Sequence, residues 1–195
     1  MAIDPPLFLY DLSSPYAYLA AERVDDVLPV RPEFTPISFG FLNRWTGKVP
    51  WSLRPETREP GMAAVERRAR ERGLPPVRWP PGWPAESYSL LPLRALVFAR
   101  ASGDERRLAR ALFRTAFAEG TALDDFDVVA DAAEGCGLDR QALREALERE
   151  EVKDELRAAT ERAHQLGVTG IPTVAVGEDL YWGDDRLEDA ARALS

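Results

Sequence analysis

The chain has 195 residues, 45% hydrophobic and 30% charged, with a formal net charge of −8 and a sequence pI near 4.9. That balance argues against nucleic acid or an anionic membrane as the main partner. One cysteine, Cys136, and one histidine, His164, exclude an intramolecular disulfide, a Cys-x-x-Cys pair and a His/Cys metal cluster.

The first element is Leu7-Phe8-Leu9-Tyr10, an apolar run that stops at Asp11. Ser13 and Ser14 follow, and Pro15 opens a segment with Tyr16, Leu19, Ala20, Val24 and Val27 at helical spacing. This predicts a strand running into one helix over residues 15–28, with Ser14 at the junction. Proline is favoured at the first helical position, and a serine just before it satisfies orphan N–H groups. Those N–H groups and the helix dipole also attract negative charge, so two roles stay open for Ser14: helix cap, or holder of an anion. Residues 34–38 form a candidate second strand and complete a β-α-β unit.

Residues 41–86 are rich in proline, tryptophan and arginine, including a basic stretch from Glu66 to Arg72. A helix over residues 59–72, flanked by Pro60 and Gly73, is the one regular element expected there. The tryptophans either pin an irregular segment onto the core or line an aromatic pocket. From Ser87 to Gly167 the pattern is helical: residues 87–100, 104–119, a helix capped by Asp124 or Asp125 and running to about Gly135, one opened by Asp139, and residues 152–166. Cys136 sits at a helix end and suits a buried structural thiol.

The last section returns to strand texture. Thr173 to Val176 and Leu180 to Trp182 flank a turn and predict a hairpin, and Asp185 starts a terminal helix in capping-box style. Ahead of the hairpin, Gly167-Val168-Thr169-Gly170-Ile171-Pro172-Thr173 is a candidate cis-proline site. No segment reaches membrane-spanning length and no cationic leader precedes the first strand, so a soluble, cytoplasmic protein is expected.

The glycine-flanked proline loop, the strand-to-helix junction and the helices between them resemble the thioredoxin-like fold in its DsbA-like form. This is an α/β fold with a large all-helical insertion. The division implied is residues 1–42 plus 165–195 for the thioredoxin-like unit, and 43–164 for the insertion. Redox members carry Cys-x-x-Cys where this chain has Ser14-Pro15-Tyr16-Ala17, so two-thiol exchange is excluded. The match is closer to the 2-hydroxychromene-2-carboxylate isomerases and kappa-class glutathione transferases. Their Asp-x-x-Ser-Pro-aromatic junction is met by Asp11 to Tyr16, and their aromatic-Gly-x-Asp-Arg sequence resembles Trp182 to Arg186.

The resemblance implies glutathione, or another low-molecular-weight thiol, with its sulfur hydrogen-bonded by a catalytic Ser14. Pro15 and Tyr16 would flank the thiol, Ile171 would pair its backbone with it beside Pro172, and Asp184 and Asp185 would meet its γ-glutamyl ammonium. Lys48, where the family has asparagine, and Pro55, after which the family's lysine and tyrosine are missing, complete the implied binding set. The implied activity is cis–trans isomerisation of an aromatic-catabolite intermediate, with a small aromatic, anionic substrate and a homodimeric assembly. A glutathione transferase or a non-redox binding protein of the same fold are the alternatives.

Overall fold

The computed structural model describes residues 5–86 and 89–195. Within them, four strands, β1 (Leu7–Tyr10), β2 (Glu33–Pro36), β3 (Thr173–Val176) and β4 (Asp179–Trp182), form one sheet in the spatial order β2-β1-β3-β4. β2 lies parallel to β1, with Tyr10 opposite Pro36. β3 runs antiparallel to β1, with Leu9 opposite Thr173, and the β3–β4 hairpin pairs Thr173 with Trp182. The helices are α1 (Pro15–Ala21), α2 (Val24–Val27), α3 (Phe39–Thr46), α4 (Pro55–Glu71), α5 (Leu90–Arg100), α6 (Glu105–Phe117), α7 (Phe126–Gly135), α8 (Arg140–Glu148), α9 (Glu150–Gln165) and α10 (Leu187–Ala193).

β1 is apolar at every position because both faces of the sheet are covered. Alternation sends Phe8 and Tyr10 to one face, where they join Phe34 and residues of α1, α5 and α6 in the larger core. Ring centroids there lie 5.3 Å apart for Phe8–Tyr10 and 5.6 Å for Tyr10–Phe113. Leu7 and Leu9 face the other way, onto Ile37, Leu42, Ala159 and Ala163 from the β2–α3 connection, α3 and α9.

The structure departs from the sequence expectations in four places. The single helix expected over residues 15–28 is two, α1 and α2. The turn tightens where Arg23 N–H donates to Ala20 O at 3.0 Å, and the two residues at the break are drawn apart, Glu22 to Arg114 at 2.7 Å and Arg23 to Glu188. The second strand covers Glu33–Pro36, not 34–38, because Ser38 turns to cap α3, a helix not expected in this proline-rich stretch. α4 starts at Pro55 and carries Pro60 inside it. Pro60 removes one donor from Glu56 O, and both residues lie on the exposed side of the helix, where the loss leaves no polar group buried. The expected start at Ser87 lies outside the described residues; the helix is described from Leu90. Asp125 and Asp139 cap α7 and α8 as expected, accepting from Asp127 N at 2.8 Å and Ala142 N at 2.7 Å. Cys136 is the buried residue that ends α7, and burial pushes its thiol pKa up.

Phe113 is fully buried between Tyr10 and Tyr18. Phe113→Ala should therefore lower unfolding free energy by about 3–5 kcal/mol in denaturant titration. A loss below about 1 kcal/mol would contradict its place in the core.

Candidate active site

Pro15 opens α1, and Ser14 precedes it in extended conformation, with Oγ accepting from Ala17 N at 3.2 Å. Ser14 is therefore a helix cap. The cap uses a lone pair of Oγ and leaves the hydroxyl proton unspent, because no acceptor for it lies among the described residues. Ser14 is part of the wall of a cavity of about 760 Å³, so that proton is available to a ligand in the cavity. The Ala17 N–H and its neighbours in the first turn add the partial positive charge of a helix N-terminus.

Asp11 ends β1 beneath this junction and is 1% exposed. Its Oδ1 accepts from Ser13 N at 2.9 Å, and its Oδ2 accepts from Phe39 N at 2.8 Å and Ser89 Oγ at 3.2 Å. One carboxylate thus joins the β1–α1 turn to the start of α3 and the residue before α5. Burial raises its pKa, and these hydrogen bonds partly offset the rise. Ser14 N–H also donates to Asp11 O at 3.1 Å, and Trp83 Nε1 donates to Ser13 O at 3.1 Å. The turn that carries Ser14 is held from both sides.

The aromatic residues divide between the two roles left open in the sequence. Trp79 is a pin: its Nε1 donates to Glu66 at 2.8 Å and its ring meets Phe117 edge-on. Trp51 and Trp83 line the cavity, their rings 5.7 Å apart, and Tyr16 meets Trp51 at 5.6 Å. Gly61 on α4 makes room for this, since a side-chain carbon there would overlap the Trp51 ring. Burial raises the Tyr16 phenol pKa, keeping it a neutral donor.

Across the cavity lies Ile171, 7% exposed, joined to Pro172 by a cis bond. Neither backbone polar group of Ile171 has a hydrogen-bond partner among the described residues. Pro172 is buried, and its carbonyl accepts from Gly183 N at 2.9 Å, so it supports the loop without facing the cavity. Lys48 is exposed on the cavity wall, with Nζ 5.3 Å from the Trp182 ring.

Besides Pro172, two expected site residues need correction. Pro55 is the exposed first residue of α4 and does not line the cavity; its fixed φ starts a helix. Asp184 borders the cavity but is 1% exposed, and its two carboxylate oxygens are taken by Arg68 and Arg72. The neighbouring Asp185 does not cap α10, whose N-cap is Arg186; it swings to Arg68 at 3.2 Å and keeps a largely exposed side chain. Arg68 also lies 5.3 Å from the Tyr16 ring, so it ties α4, α1 and the β4–α10 loop together. Sequence reasoning saw a basic stretch and missed this role. The signal was the spacing: residues 68 and 72 stand one helical turn apart, on one face.

Among the described residues no group of His, Cys, Asp or Glu could hold a metal ion, and no helix is long and apolar enough to cross a membrane.

A β-α-β…β-β-α sheet, helices between its halves, and a helix N-terminus facing an X–Pro loop define a thioredoxin-like protein. The DSBA-like thioredoxin domain model matches residues 7–195, and the chain belongs to that family. It is 27% identical over 187 residues to a 2-hydroxychromene-2-carboxylate isomerase of Sphingobium xenophagum, covering 93% of each chain. A solved 2-hydroxychromene-2-carboxylate isomerase superposes with a TM-score of 0.87 at 22% identity, covering 97% of this chain and 93% of that one. The cytosolic disulfide reductase DsbM of Pseudomonas aeruginosa, solved with GSH, superposes with a TM-score of 0.66 at 19% identity, covering 97% and 96%.

Because the folded state raises the Asp11 pKa above the ordinary 3.8, the native protein binds the more protons between those two values. Stability from this group is present below the ordinary pKa and is lost as pH rises through the raised one. The stability of wild type relative to Asp11→Asn should therefore fall with rising pH across that window and then level off. Urea unfolding of both proteins from about pH 3 to about pH 7 checks this, and a relative stability that rises with pH would contradict it.

Proposed function

We propose that the protein is a thiol-dependent cis–trans isomerase of the 2-hydroxychromene-2-carboxylate isomerase type, using glutathione or a similar low-molecular-weight thiol. The observation that carries this reading is the unspent hydroxyl proton of Ser14, offered to a large cavity from a helix N-terminus. The names of the full-length relatives support the reaction type, and DsbM with GSH supports a thiol on this fold.

The residues present fit a peptide-like thiol. Ile171 has a free N–H and C=O, which an extended ligand can pair with as an added strand does. Asp185 keeps exposed carboxylate surface for an ammonium group, whereas Asp184 is consumed by its two arginines and acts by holding Asp185 and Arg68 in place. The cavity volume of about 760 Å³ suits a small ligand pocket of the usual size, with room for thiol and substrate side by side.

When bound, the thiol supplies reversible covalent addition to a conjugated double bond, which allows rotation about that bond before release. Ser14 donates to the sulfur and, with the α1 N-terminus, favours its anionic form, as helix N-termini do for cysteine. Tyr16, Trp51 and Trp83 offer aromatic surface to a planar substrate. The absence of both cysteines fits a reaction with no net redox change: Ala17 stands where the second thiol of a redox pair would be.

Ser14→Ala should lower thiol-dependent turnover by about 10²-fold, the usual cost of removing a donor to a developing anion. Undiminished turnover would overturn the role of Ser14. Millimolar glutathione should raise the thermal midpoint of wild type, since a ligand that binds only the folded state stabilises it. Mass spectrometry should show product isomer with no thioether adduct; accumulation of an adduct would identify a transferase instead.

A further inference from the structure

We propose that Arg44, Lys48 and Arg54 form the wall that selects substrates by a carboxylate, an assignment that rests on the isomerase reading for its substrate and on the structure for its residues. All three line the same cavity as Ser14. They come from one continuous stretch, α3 and the turn that follows it, and residues 34–55 contain no aspartate or glutamate although the whole chain carries a net charge of −8.

Two of the three acidic groups of the cavity are fully engaged: Asp11 is spent on Ser13, Phe39 and Ser89, and Asp184 on Arg68 and Arg72. The exposed Asp185 belongs to the β4–α10 loop, where it pairs with Arg68, and not to the stretch that carries the three cations. The charge of that stretch is therefore positive and of one sign. None of the three cations has a carboxylate within 4.0 Å among the described residues. Lys48 and Arg44 rest on aromatic faces instead, 5.3 Å from the Trp182 ring and 5.6 Å from the Phe41 ring. A cation–π contact keeps a cation in place and leaves its N–H donors free for a ligand. Arg54 occupies the N-cap position of α4 without capping it through its side chain. A solvated surface would scatter charges of both signs. A cleft wall of one sign concentrates the field and selects an anion. The wall also bears Trp51, so a planar carboxylate finds aromatic surface and charge together.

The test uses trans-cinnamate and its uncharged amide, titrated calorimetrically without thiol into wild type, Ser14→Ala and the triple variant Arg44→Gln/Lys48→Gln/Arg54→Gln. Glutathione is titrated separately into each. Wild type and Ser14→Ala should bind the carboxylate about tenfold or more tightly than the amide, as for one charge-assisted contact. In the triple variant that preference should vanish, with affinity for the amide unchanged, and in wild type added salt should weaken it. Equal binding of acid and amide by wild type would overturn the proposal, as would a preference retained in the triple variant. A loss confined to glutathione would also overturn it and assign the wall to the cofactor's own carboxylates. Because these titrations need neither turnover nor bound thiol, a failure of the isomerase reading would show in the Ser14→Ala kinetics and leave this result separate.

Discussion

One buried carboxylate organises the cavity. Asp11 lies where β1 ends, with burial working against its charge, yet it accepts from the Ser13 amide, the Phe39 amide and the Ser89 hydroxyl. A buried carboxylate is tolerated when its oxygens are satisfied, and here the satisfying groups come from three separate stretches of chain. The hydrogen bonds that make Asp11 tolerable are therefore the ones that hold the Ser14 turn, the start of α3 and the approach to α5 around a common space. Holding of this kind is what a site needs if a donor is to meet a developing charge without rearranging.

Ser14 works within that frame by dividing its hydroxyl. The oxygen satisfies the Ala17 amide, and the proton is left for the cavity. A cysteine at this position would bring its own sulfur. A serine brings none, so two-thiol exchange is closed to this junction, and under the proposed function Ser14 would polarise a sulfur that arrives with a ligand. Opposite Ser14, Ile171 keeps its backbone groups unpaired, and Arg68 with Arg72 fixes Asp184 so that the β4–α10 loop closes the third side.

Much of this was legible in the chain itself. The apolar run before Asp11, proline directly after Ser14 and the Thr173–Trp182 hairpin carry local signals strong enough to read the sheet and the junction. The aspartates that cap α7 and α8 are equally local. What escaped depends on partners far apart in sequence. The residues at the break between α1 and α2 pair with Arg114 and Glu188, and Asp184 pairs with Arg68 on α4 and Arg72 at its C-cap. Periodicity shows that a helix has a polar face, not which distant charge that face will meet. α3 was hidden for another reason: its start depends on the Ser38 cap, within a stretch whose prolines and tryptophans mask a short helix. Pro55 entered the expected site through the family resemblance alone, and its own local signal, a proline at the first position of a helix, points to the start of α4.

The proposed role of Ser14 and the α1 N-terminus is to hold a sulfur anion, and the ionisation of the bound thiol reports that directly. Ultraviolet difference titration of glutathione thiolate, with protein in excess, would give its pKa on wild type and on Ser14→Ala. A pKa on wild type below that of the free thiol, moving back toward the free value in Ser14→Ala, is the predicted result. A bound thiol that ionises as it does in water, or equally on both proteins, would contradict the account.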